Sequence, residues 1–246
     1  MKLQKLYSYV RKACEDYQMI STGDRIAIGI SGGKDSLALL YALAGMRQFY
    51  PKSYTLVAIT IDLGYGNCNY EGIEKLCEEL QVEYHVIPTQ IQEILKKRIT
   101  SGSYCSLCSK LRKGAFTQAT LSYGCNKIAY AHHMDDMIET MLLSLFYEGQ
   151  FYVFPPVTKM GDCGISVIRP LMYVPEADVI GFQNRMKLPV LKNPCPFDGN
   201  TRRAYVKTLV AQINRDNPGV KKRLFHAITE GGIYDWPLKI EEKEES

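Results

Sequence analysis

The chain has 246 residues, of which 46% are hydrophobic, and a formal net charge of +4 at pH 7. This composition excludes a disordered chain and is enough to bury the core of one large domain, or of one domain with an appendage. No apolar run has the length of a membrane-spanning helix, so we expect no membrane partner.

The N-terminal segment 1–22 predicts an amphipathic helix, because Leu3, Leu6, Val10 and Cys14 recur at near-helical spacing among charged residues. This pattern is not that of a signal peptide, so we expect a cytoplasmic protein. The eight cysteines of the chain then do not form a disulfide framework. They divide between buried thiols and ligands for metal or redox chemistry.

Five apolar segments predict β-strands, and helical patterns separate most of them. The segments are residues 25–30, 54–62, 82–87, 127–131 and 165–169. Near-continuous apolar strands that alternate with helices favour an α/β fold with a doubly wound, parallel, five-stranded sheet. Because ligands bind at the carboxyl ends of the strands in such folds, the residues that follow each strand are candidates for a site.

The sequence divides into three predicted parts. After the N-terminal helix, residues 23–174 carry the predicted strands, and residues 175–246 predict a C-terminal helical region that is basic and ends in an acidic tail. Residues 201–223 contain seven lysines or arginines against one acid, Asp216. Such segregated positive charge is typical of a protein with a polyanionic partner.

The first predicted strand leads into a glycine-rich turn, "AIGISGGKDSLALL" at residues 27–40. Glycines at a strand-to-helix turn let backbone N–H groups approach an anion, and the dipole of the following helix favours the same position. The spacing fits neither the Walker loop nor the dinucleotide fingerprint. We expect the two serines and Lys34 to hold phosphate and Asp35 to help bind Mg²⁺. The alternative is a flexible turn without a ligand.

Polar residues also follow two other predicted strands. Asp62 ends the second strand, and its alternative role is that of a loop carboxylate or a helix cap. The segment "YAHHMDDMIET" contains His132, His133, Asp135 and Asp136. Two histidines beside two carboxylates suit a metal, whereas carboxylates at a helix N-terminus are also ordinary partners of the helix dipole. The glycine-rich turn on a neighbouring strand favours a role in an active site.

Cysteines occur with ligand spacing at the start of a predicted helix, "SYCSLCSKLRKGAF". Cys105 and Cys108 are three residues apart, so their thiolates face one side and suit a metal or an iron–sulfur cluster; the main alternative is a redox dithiol. A second C-x-x-C, which a four-cysteine zinc site needs, does not occur. Cys195 lies between two prolines in "NPCPFDG", which is a poor place for a packing cysteine.

These motifs resemble those of a known enzyme family. Residues 31–36 match S-G-G-x-D-S, the signature of the PP-loop ATP pyrophosphatases, and residues 131–136 resemble the G-H-H-x-D-D segment of their tRNA-modifying branch, with Ala131 in place of glycine. With C-S-L-C-x-x-L-R-x-G and a later P-C motif, the chain resembles the TtcA-type tRNA 2-thiocytidine synthetases from about Arg25 to about Arg223.

The resemblance implies cofactors and site residues. ATP and Mg²⁺ are expected at Ser31, Gly32, Gly33, Lys34, Asp35, Ser36, Asp62, His132 and His133. The implied catalytic residues are Lys34, Asp35, Asp135 and Asp136. A [4Fe-4S] cluster is implied on Cys105, Cys108 and Cys195, with one iron open for sulfur. Asp198 stands where many family members have a further cysteine, so we do not expect a sulfur relay through a fourth thiol there.

The implied reaction is ATP-dependent tRNA thiolation. AMP is transferred to the C2 carbonyl of a tRNA base, foremost an anticodon-loop cytidine, and sulfur then replaces the oxygen. The expected contacts to tRNA are Lys110, Arg112, Lys113, Arg202, Arg203 and Lys207. A cysteine desulfurase or sulfide is the expected sulfur donor, and a homodimer is left open.

Other functions compete with this interpretation. Within the enzyme class they are a tRNA lysidine synthetase-like enzyme, which has no need of a thiolate triad, and a 2-thiouridine-forming PP-loop enzyme, which has terminal C-x-x-C pairs that this chain lacks. From another class, the chain could be an iron–sulfur sensor that binds ATP and RNA without modifying the RNA. Turnover of ATP to AMP that depends on tRNA would exclude the sensor.

Overall fold

The structure, a computed structural model, describes residues 1–66, 68–98, 104–192, 195 and 202–231. The strands in this part of the chain are β1 (Asp24–Gly29), β2 (Tyr54–Asp62), β3 (Glu83–Pro88), β4 (Lys127–Ala129), β5 (Val157–Met160) and β6 (Ile165–Ile168). The helices are α1 (Leu3–Asp16), α2 (Lys34–Met46), α3 (Glu71–Glu79), α4 (Ile91–Arg98), α5 (Tyr104–Ser122), α6 (Met134–Glu148), α7 (Glu176–Met186), α8 (Arg202–Asp216) and α9 (Val220–Glu230). Asp198 and the acidic tail lie outside the described residues.

The strands form one sheet in the order β3-β2-β1-β4-β6-β5. All neighbouring pairs from β3 to β6 are parallel, and Ile28 of β1 is paired with Ala58 of β2 and Ala129 of β4. Parallel neighbours need long crossover connections, which helices α2, α3 and α5 provide between the first four strands. The predicted α/β fold with a doubly wound sheet is confirmed.

The sheet has a sixth strand where the sequence predicts five. β5 pairs antiparallel with β6 at the edge of the sheet, and a short 3₁₀ helix with Gly164 in the left-handed region joins the two strands. The four residues of β5 contain no apolar run, because an edge strand is buried on fewer sides. The five-strand count was therefore wrong at this edge, while the five parallel strands lie within two residues of the predicted segments.

Successive strand residues enter two separate hydrophobic clusters. Ile26 and Ile28 belong to the larger cluster, whereas Ala27 between them belongs to the smaller one. Because successive side chains of a strand point to opposite faces, the two clusters cover the two faces of the sheet. Helix α5 covers the smaller cluster with Phe116 and Ala119.

The larger cluster includes side chains from all three predicted parts of the chain. Leu6 of α1, Phe182 of α7, Val206 of α8 and Ile228 of α9 are all fully buried in it. Burial of each such side chain stabilises the fold by about 2 kcal/mol. The predicted boundaries after residues 22 and 174 therefore separate segments that share one core. Within the described ranges, no helix has the length and apolar character needed to span a membrane.

Candidate active site

A cavity of about 680 Å³ opens at the carboxyl ends of the parallel strands, a size typical of ligand pockets. The turn after β1, the segment after β4 and one face of α5 contribute to its walls. The predicted site residues that line it are Ser31, Asp35, Ser36, Cys105, Cys108, Arg112, Lys113, His132, Asp136 and Cys195. The topology thus gathers residues from distant parts of the sequence at one edge of the sheet.

The glycine-rich turn is closed by its two serines and supported from outside. Ser31 Oγ lies 3.2 Å from Ser36 Oγ, which donates to the carbonyl of Gly33 at 2.9 Å. Gly32 has a φ of +79°, in the left-handed region that favours glycine. A Cβ on Gly32 would lie 3.0 Å from Leu191 Cβ, and Leu191 N donates to the Gly32 carbonyl at 2.9 Å. The segment after α7 therefore packs directly on the turn.

Two carboxylates hold the ammonium group of Lys34. Its Nζ lies 3.0 Å from Asp35 Oδ2 and 3.1 Å from Glu176 Oε1. Burial lowers the pKa of Lys34, but the two carboxylates outweigh burial and raise the pKa above its ordinary value. Lys34 therefore remains a cation beside the turn.

Glu176, which the sequence analysis did not single out, connects the turn to the C-terminal helices. Its carboxylate also accepts from Lys207 Nζ at 2.6 Å. Burial would raise the pKa of Glu176, but Lys207 and Lys34 lower it to about 2. The signal in the sequence is an acid in the first turn of a predicted helix, "PEADVIGFQNRMK", which alone says nothing about distant lysines.

His133 and Asp136 form a capping box at the start of α6. Asp136 N donates to His133 Nδ1 at 3.3 Å, and His133 N donates to Asp136 Oδ2 at 3.0 Å, which fixes the carboxylate at the cavity wall. His133 Nε2 lies 3.7 Å from Asp35 Oδ1. That buried oxygen accepts no hydrogen bond from the described residues. Carboxylate oxygens of this kind suit a cation, so Asp35 and Asp136 fit a Mg²⁺ ion that also binds phosphate oxygens.

Asp135 and Asp62 make contacts away from the cavity. Asp135 is buried and accepts from Lys221 Nζ at 2.6 Å and from Glu176 N at 2.7 Å. Successive helical residues point about 100° apart, so Asp135 turns away where Asp136 faces the cavity. Asp62 Oδ1 accepts from Gly64 N at 2.9 Å, as a loop carboxylate does. The catalytic role of Asp135 and the nucleotide-binding role of Asp62 stay predictions.

Three thiols lie on one wall of the cavity. Cys105 and Cys108 are in the first turns of α5, and Cys195 lines the same space. Burial raises the pKa of Cys108, Arg112 lowers it, and the thiols of Cys195 and Cys105 raise it again, so the three sulfurs are close enough to interact.

The three thiols have the chemistry of iron–sulfur cluster ligands. In an iron–sulfur cluster each thiolate binds a different iron, so the thiols surround a larger object than one ion. The donor set of Cys105, Cys108 and Cys195 therefore fits a [4Fe-4S] group.

Arg169 is a buried cation in the cavity wall that the sequence analysis missed. Its Nη1 donates to the carbonyl of Pro155 and to Thr158 Oγ1, and its guanidinium lies 4.8 Å from the centre of the Phe154 ring. Its buried Nε has no hydrogen-bond partner among the described residues. Burial lowers the pKa of Arg169 to about 10. The only signal in the sequence is an arginine at the end of a predicted strand.

His132 lies beside the same phenylalanine. Its ring centre is 4.5 Å from that of Phe154, and its buried Nδ1 has no hydrogen-bond partner in the described part of the chain. Burial lowers the pKa of His132 to about 4. The imidazole is therefore neutral at pH 7, which suits contact with an uncharged group.

The predicted RNA contacts fall into two groups. On α5, Arg112 and Lys113 are exposed and line the cavity, and Lys110 is exposed on the same helix. The other three lie on α8, whose charges are partly engaged. Lys207 pairs with Glu176 as described above.

The two arginines at the start of α8 differ in their contacts. Arg203 Nη1 lies 3.2 Å from Glu139 Oε2, a buried carboxylate of α6. Arg202 is exposed, and its guanidinium lies 4.6 Å from the centre of the Tyr147 ring. Both arginines are exposed, but Arg203 is held to α6 by an ion pair, whereas Arg202 contacts the ring of Tyr147.

Known proteins resemble the chain over most of its length. The model of the PP-loop domain family matches residues 3–213. The tRNA-cytidine(32) 2-sulfurtransferase of Citrifermentans bemidjiense is 41% identical over 229 residues, which are 92% of this chain and 89% of that protein. The enzyme of the same name from Geobacter sulfurreducens is 37% identical over 231 residues, 93% of this chain and 90% of that one.

A solved structure has the same fold. The U34-tRNA thiolase NcsA from Methanococcus maripaludis, solved with its [4Fe-4S] cluster, matches with a TM-score of 0.74 at 23% identity. The match covers 91% of this chain and 76% of that one.

Proposed function

The chain belongs to the family of tRNA-cytidine(32) 2-sulfurtransferases, which contains a PP-loop domain, and we propose that it uses ATP to replace the C2 oxygen of a tRNA cytidine with sulfur. The observation that supports this proposal best is the composition of one cavity. An anion-binding turn, two carboxylates and three thiols line the same space. Activation of the base needs the turn and the carboxylates close to it, and delivery of sulfur needs the thiols close to the same base.

The turn after β1 and Lys34 act on the triphosphate. Backbone N–H groups of Gly32 and Gly33 and the N-terminus of α2 hold the β and γ phosphates. The C2 oxygen of the base then attacks the α phosphorus, a C–O–P bond forms, and pyrophosphate leaves. Lys34 stabilises the charge that develops on the leaving group. Asp35 and Asp136 would hold Mg²⁺, which polarises the phosphate oxygens when bound.

The second half of the reaction takes place beside the thiols. Cys105, Cys108 and Cys195 would hold a [4Fe-4S] cluster, which supplies an iron without a protein ligand for the incoming sulfur. Sulfur attacks C2 of the activated base, a C–S bond forms, and AMP leaves with the former oxygen. The U34-tRNA thiolase NcsA from Methanococcus maripaludis, which has the same fold, was solved with its [4Fe-4S] cluster.

The proposal also includes partners and location. Arg112 and Lys113 are placed to contact the tRNA backbone at the mouth of the cavity. A cysteine desulfurase or free sulfide is the proposed sulfur donor, and the cytoplasm is the proposed location of the reaction. Sedimentation analysis would show whether the chain forms a homodimer, which the sequence leaves open.

The experiment measures products and iron together. Anaerobically purified protein receives Mg-ATP, sulfide and tRNA, and we expect tRNA-dependent AMP and pyrophosphate, 2-thiocytidine detected by nucleoside mass spectrometry, and about four irons per chain. ADP and free phosphate would contradict the proposal. Binding of ATP and RNA without AMP or thiolated nucleoside would indicate the sensor.

Single replacements of Cys105, Cys108 and Cys195 by alanine test the thiol set. Each variant is expected to lose iron and thiolation. Cys163→Ala is the matched control, because Cys163 is exposed, lies outside the cavity and donates its S–H to the Met160 carbonyl. Full iron content in any of the three variants would contradict the proposed ligand set.

A further inference from the structure

Four aromatic side chains are exposed within a short stretch at the end of α6. The exposed fractions are 50% for Phe146, 44% for Tyr147, 66% for Phe151 and 52% for Tyr152. We call these four residues the aromatic platform. Large exposed aromatic groups that lie close in sequence are unusual in a folded domain and mark an interaction surface.

The backbone places the platform at a sharp turn. Helix α6 ends at Glu148, and Gly149 adopts the left-handed conformation with a φ of 66°. Gln150 N donates back to the Ser144 carbonyl, which closes the end of the helix. Residues on both sides of this turn are therefore held in place, although their side chains face solvent.

A cation extends the platform toward α8. The guanidinium of Arg202 lies 4.6 Å from the centre of the Tyr147 ring, and Arg202 is itself exposed. An exposed arginine beside exposed aromatic rings matches the surfaces on which proteins stack unpaired bases while they contact the phosphate backbone. Further exposed cations occur toward the end of α8 and on α9: Arg215, Lys222 and Arg223.

The chain leads directly from the platform to the cavity. After Tyr152, Val153 is buried and anchors the segment in the core. Phe154 then packs beside His132 and Arg169, both of which line the cavity. A base that left an RNA loop near the platform would therefore be close to the cavity.

We propose that the aromatic platform and Arg202 bind unpaired tRNA bases next to the target nucleotide by stacking. This inference rests on the proposed function and names the part of the tRNA that this surface recognises, a single-stranded loop. Turning a base out of its stack costs free energy. Stacking of neighbouring bases on the aromatic side chains of the platform offsets that cost.

The test compares an RNA hairpin, whose loop carries the anticodon-loop sequence of the substrate tRNA, with a blunt RNA duplex of equal length. Phe151→Ala and Tyr152→Ala are each expected to weaken hairpin binding by about 5- to 100-fold. Duplex binding and the salt dependence of hairpin binding are expected to stay unchanged, because no phosphate contact is removed.

Three further measurements sharpen the comparison. Phe49→Ala is the matched control, since Phe49 is also 50% exposed but lies between α2 and β2, where the chain returns to the amino ends of the parallel strands and away from the cavity. It is expected to bind the hairpin like the wild type. Phe151→Trp keeps an aromatic plane, so its affinity is expected to stay within about twofold, and its fluorescence to be quenched by the hairpin. Thermal unfolding of each variant verifies that the fold is intact.

Unchanged hairpin affinity in folded Phe151→Ala and Tyr152→Ala would overturn the inference. So would conversion of a wild-type dimer to monomers by Phe151→Ala at unchanged hairpin affinity, because the platform would then join two copies of the chain. The proposed function fails separately. If the wild-type protein makes no 2-thiocytidine but the platform variants still lose hairpin binding, the proposed reaction is wrong. The platform would then remain an RNA-binding surface.

Discussion

Lys34 Nζ lies 3.1 Å from Glu176 Oε1, so the glycine-rich turn after β1 is joined by an ion pair to the first residue of α7. Lys207 of α8 donates to the same oxygen at 2.6 Å. One buried carboxylate therefore connects the turn after β1 with two helices from the C-terminal part of the chain. Because this carboxylate must be ionised to hold two lysines, the connection depends on pH.

Glu176→Gln tests this connection through its pH dependence. The pKa of Glu176 is about 2 in the folded protein and about 4.3 when unfolded, so the unfolded state binds its proton first as the pH falls. The stabilisation is complete above about pH 5 and is lost toward pH 2. We expect the variant to lose about 3 kcal/mol of unfolding free energy at pH 7, and less as the pH falls.

Denaturant unfolding followed by circular dichroism, without nucleotide, measures this difference at several pH values. Glu93→Gln is the control, because Glu93 pairs with Lys97 on an exposed helix face and such pairs contribute little. A constant difference between wild type and Glu176→Gln from pH 7 to pH 3 would contradict the prediction.

His132 is expected to remain neutral well below the usual range of histidine. Burial lowers its pKa to about 4. As the pH falls below about 6.5, the unfolded chain binds a proton on this ring while the folded protein does not. The unfolding free energy therefore decreases between about pH 6.5 and pH 4. NMR titration of the histidine ring signals measures the midpoint, and His132→Asn identifies the signal by its disappearance. A midpoint near 6.5 would show that the ring is accessible to water.

The parts of the site that the sequence predicted are those that local chemistry determines. Ser31 to Ser36 form the expected turn, because its glycines and the start of the following helix lie within a few residues of each other. The apolar segments predicted the parallel strands, because the hydrophobic pattern of a buried strand is also a local property of the sequence. Cys105 and Cys108 both line the cavity, which agrees with the prediction from their spacing that the two thiols face one side of the helix.

Contacts between distant segments could not be predicted in this way. Glu176 and Arg169 owe their importance to groups that the fold brings to them, and neither stands in a recognisable motif. The different directions of Asp135 and Asp136 are an intermediate case. Helical periodicity requires them to diverge, but only the packing of Lys221 against Asp135 shows which one is taken up in the interior.

Arg203→Ala and Arg202→Ala are expected to separate packing from RNA contact. Arg203 neutralises the buried carboxylate of Glu139, whose pKa burial raises. Its removal is expected to lower the unfolding free energy by about 1–3 kcal/mol. Arg202→Ala removes an exposed group and is expected to cost less than about 1 kcal/mol. Denaturant unfolding measures both variants.

A double variant tests whether Arg203 acts through Glu139. Glu139→Gln removes the charge that Arg203 neutralises, so Arg203→Ala is expected to cost less in that background than in the wild type. Equal losses in the two backgrounds would show that Arg203 does not act through Glu139. Because Arg203 supports the fold, charge reversal at Arg202 is the cleaner test of tRNA binding on α8.

Gly32→Ala is expected to damage the glycine-rich turn after β1, whereas Gly33→Ala is not. Gly32 has a φ of +79° and a Cβ there would meet Leu191 at 3.0 Å, while a Cβ on Gly33 would meet Ser31 Oγ at 3.3 Å. The left-handed conformation costs an alanine on the order of 1 kcal/mol or more before any clash is counted. Gly33→Ala keeps its backbone N–H at an ordinary φ of −79°.

Calorimetric titration with Mg²⁺ and a non-hydrolysable ATP analogue measures the effect. We expect Gly32→Ala to weaken binding of the analogue at least about tenfold. A backbone strain of about 1.4 kcal/mol in the bound state is enough for a tenfold change in the dissociation constant. Adding Leu191→Ala removes the clash but keeps the strained φ, so affinity is expected to recover only in part. Equal affinity in Gly32→Ala and Gly33→Ala would contradict the assignment of this turn as the phosphate site. Full recovery in the double variant would show that the contact with Leu191, and not the backbone conformation, makes glycine necessary at this position.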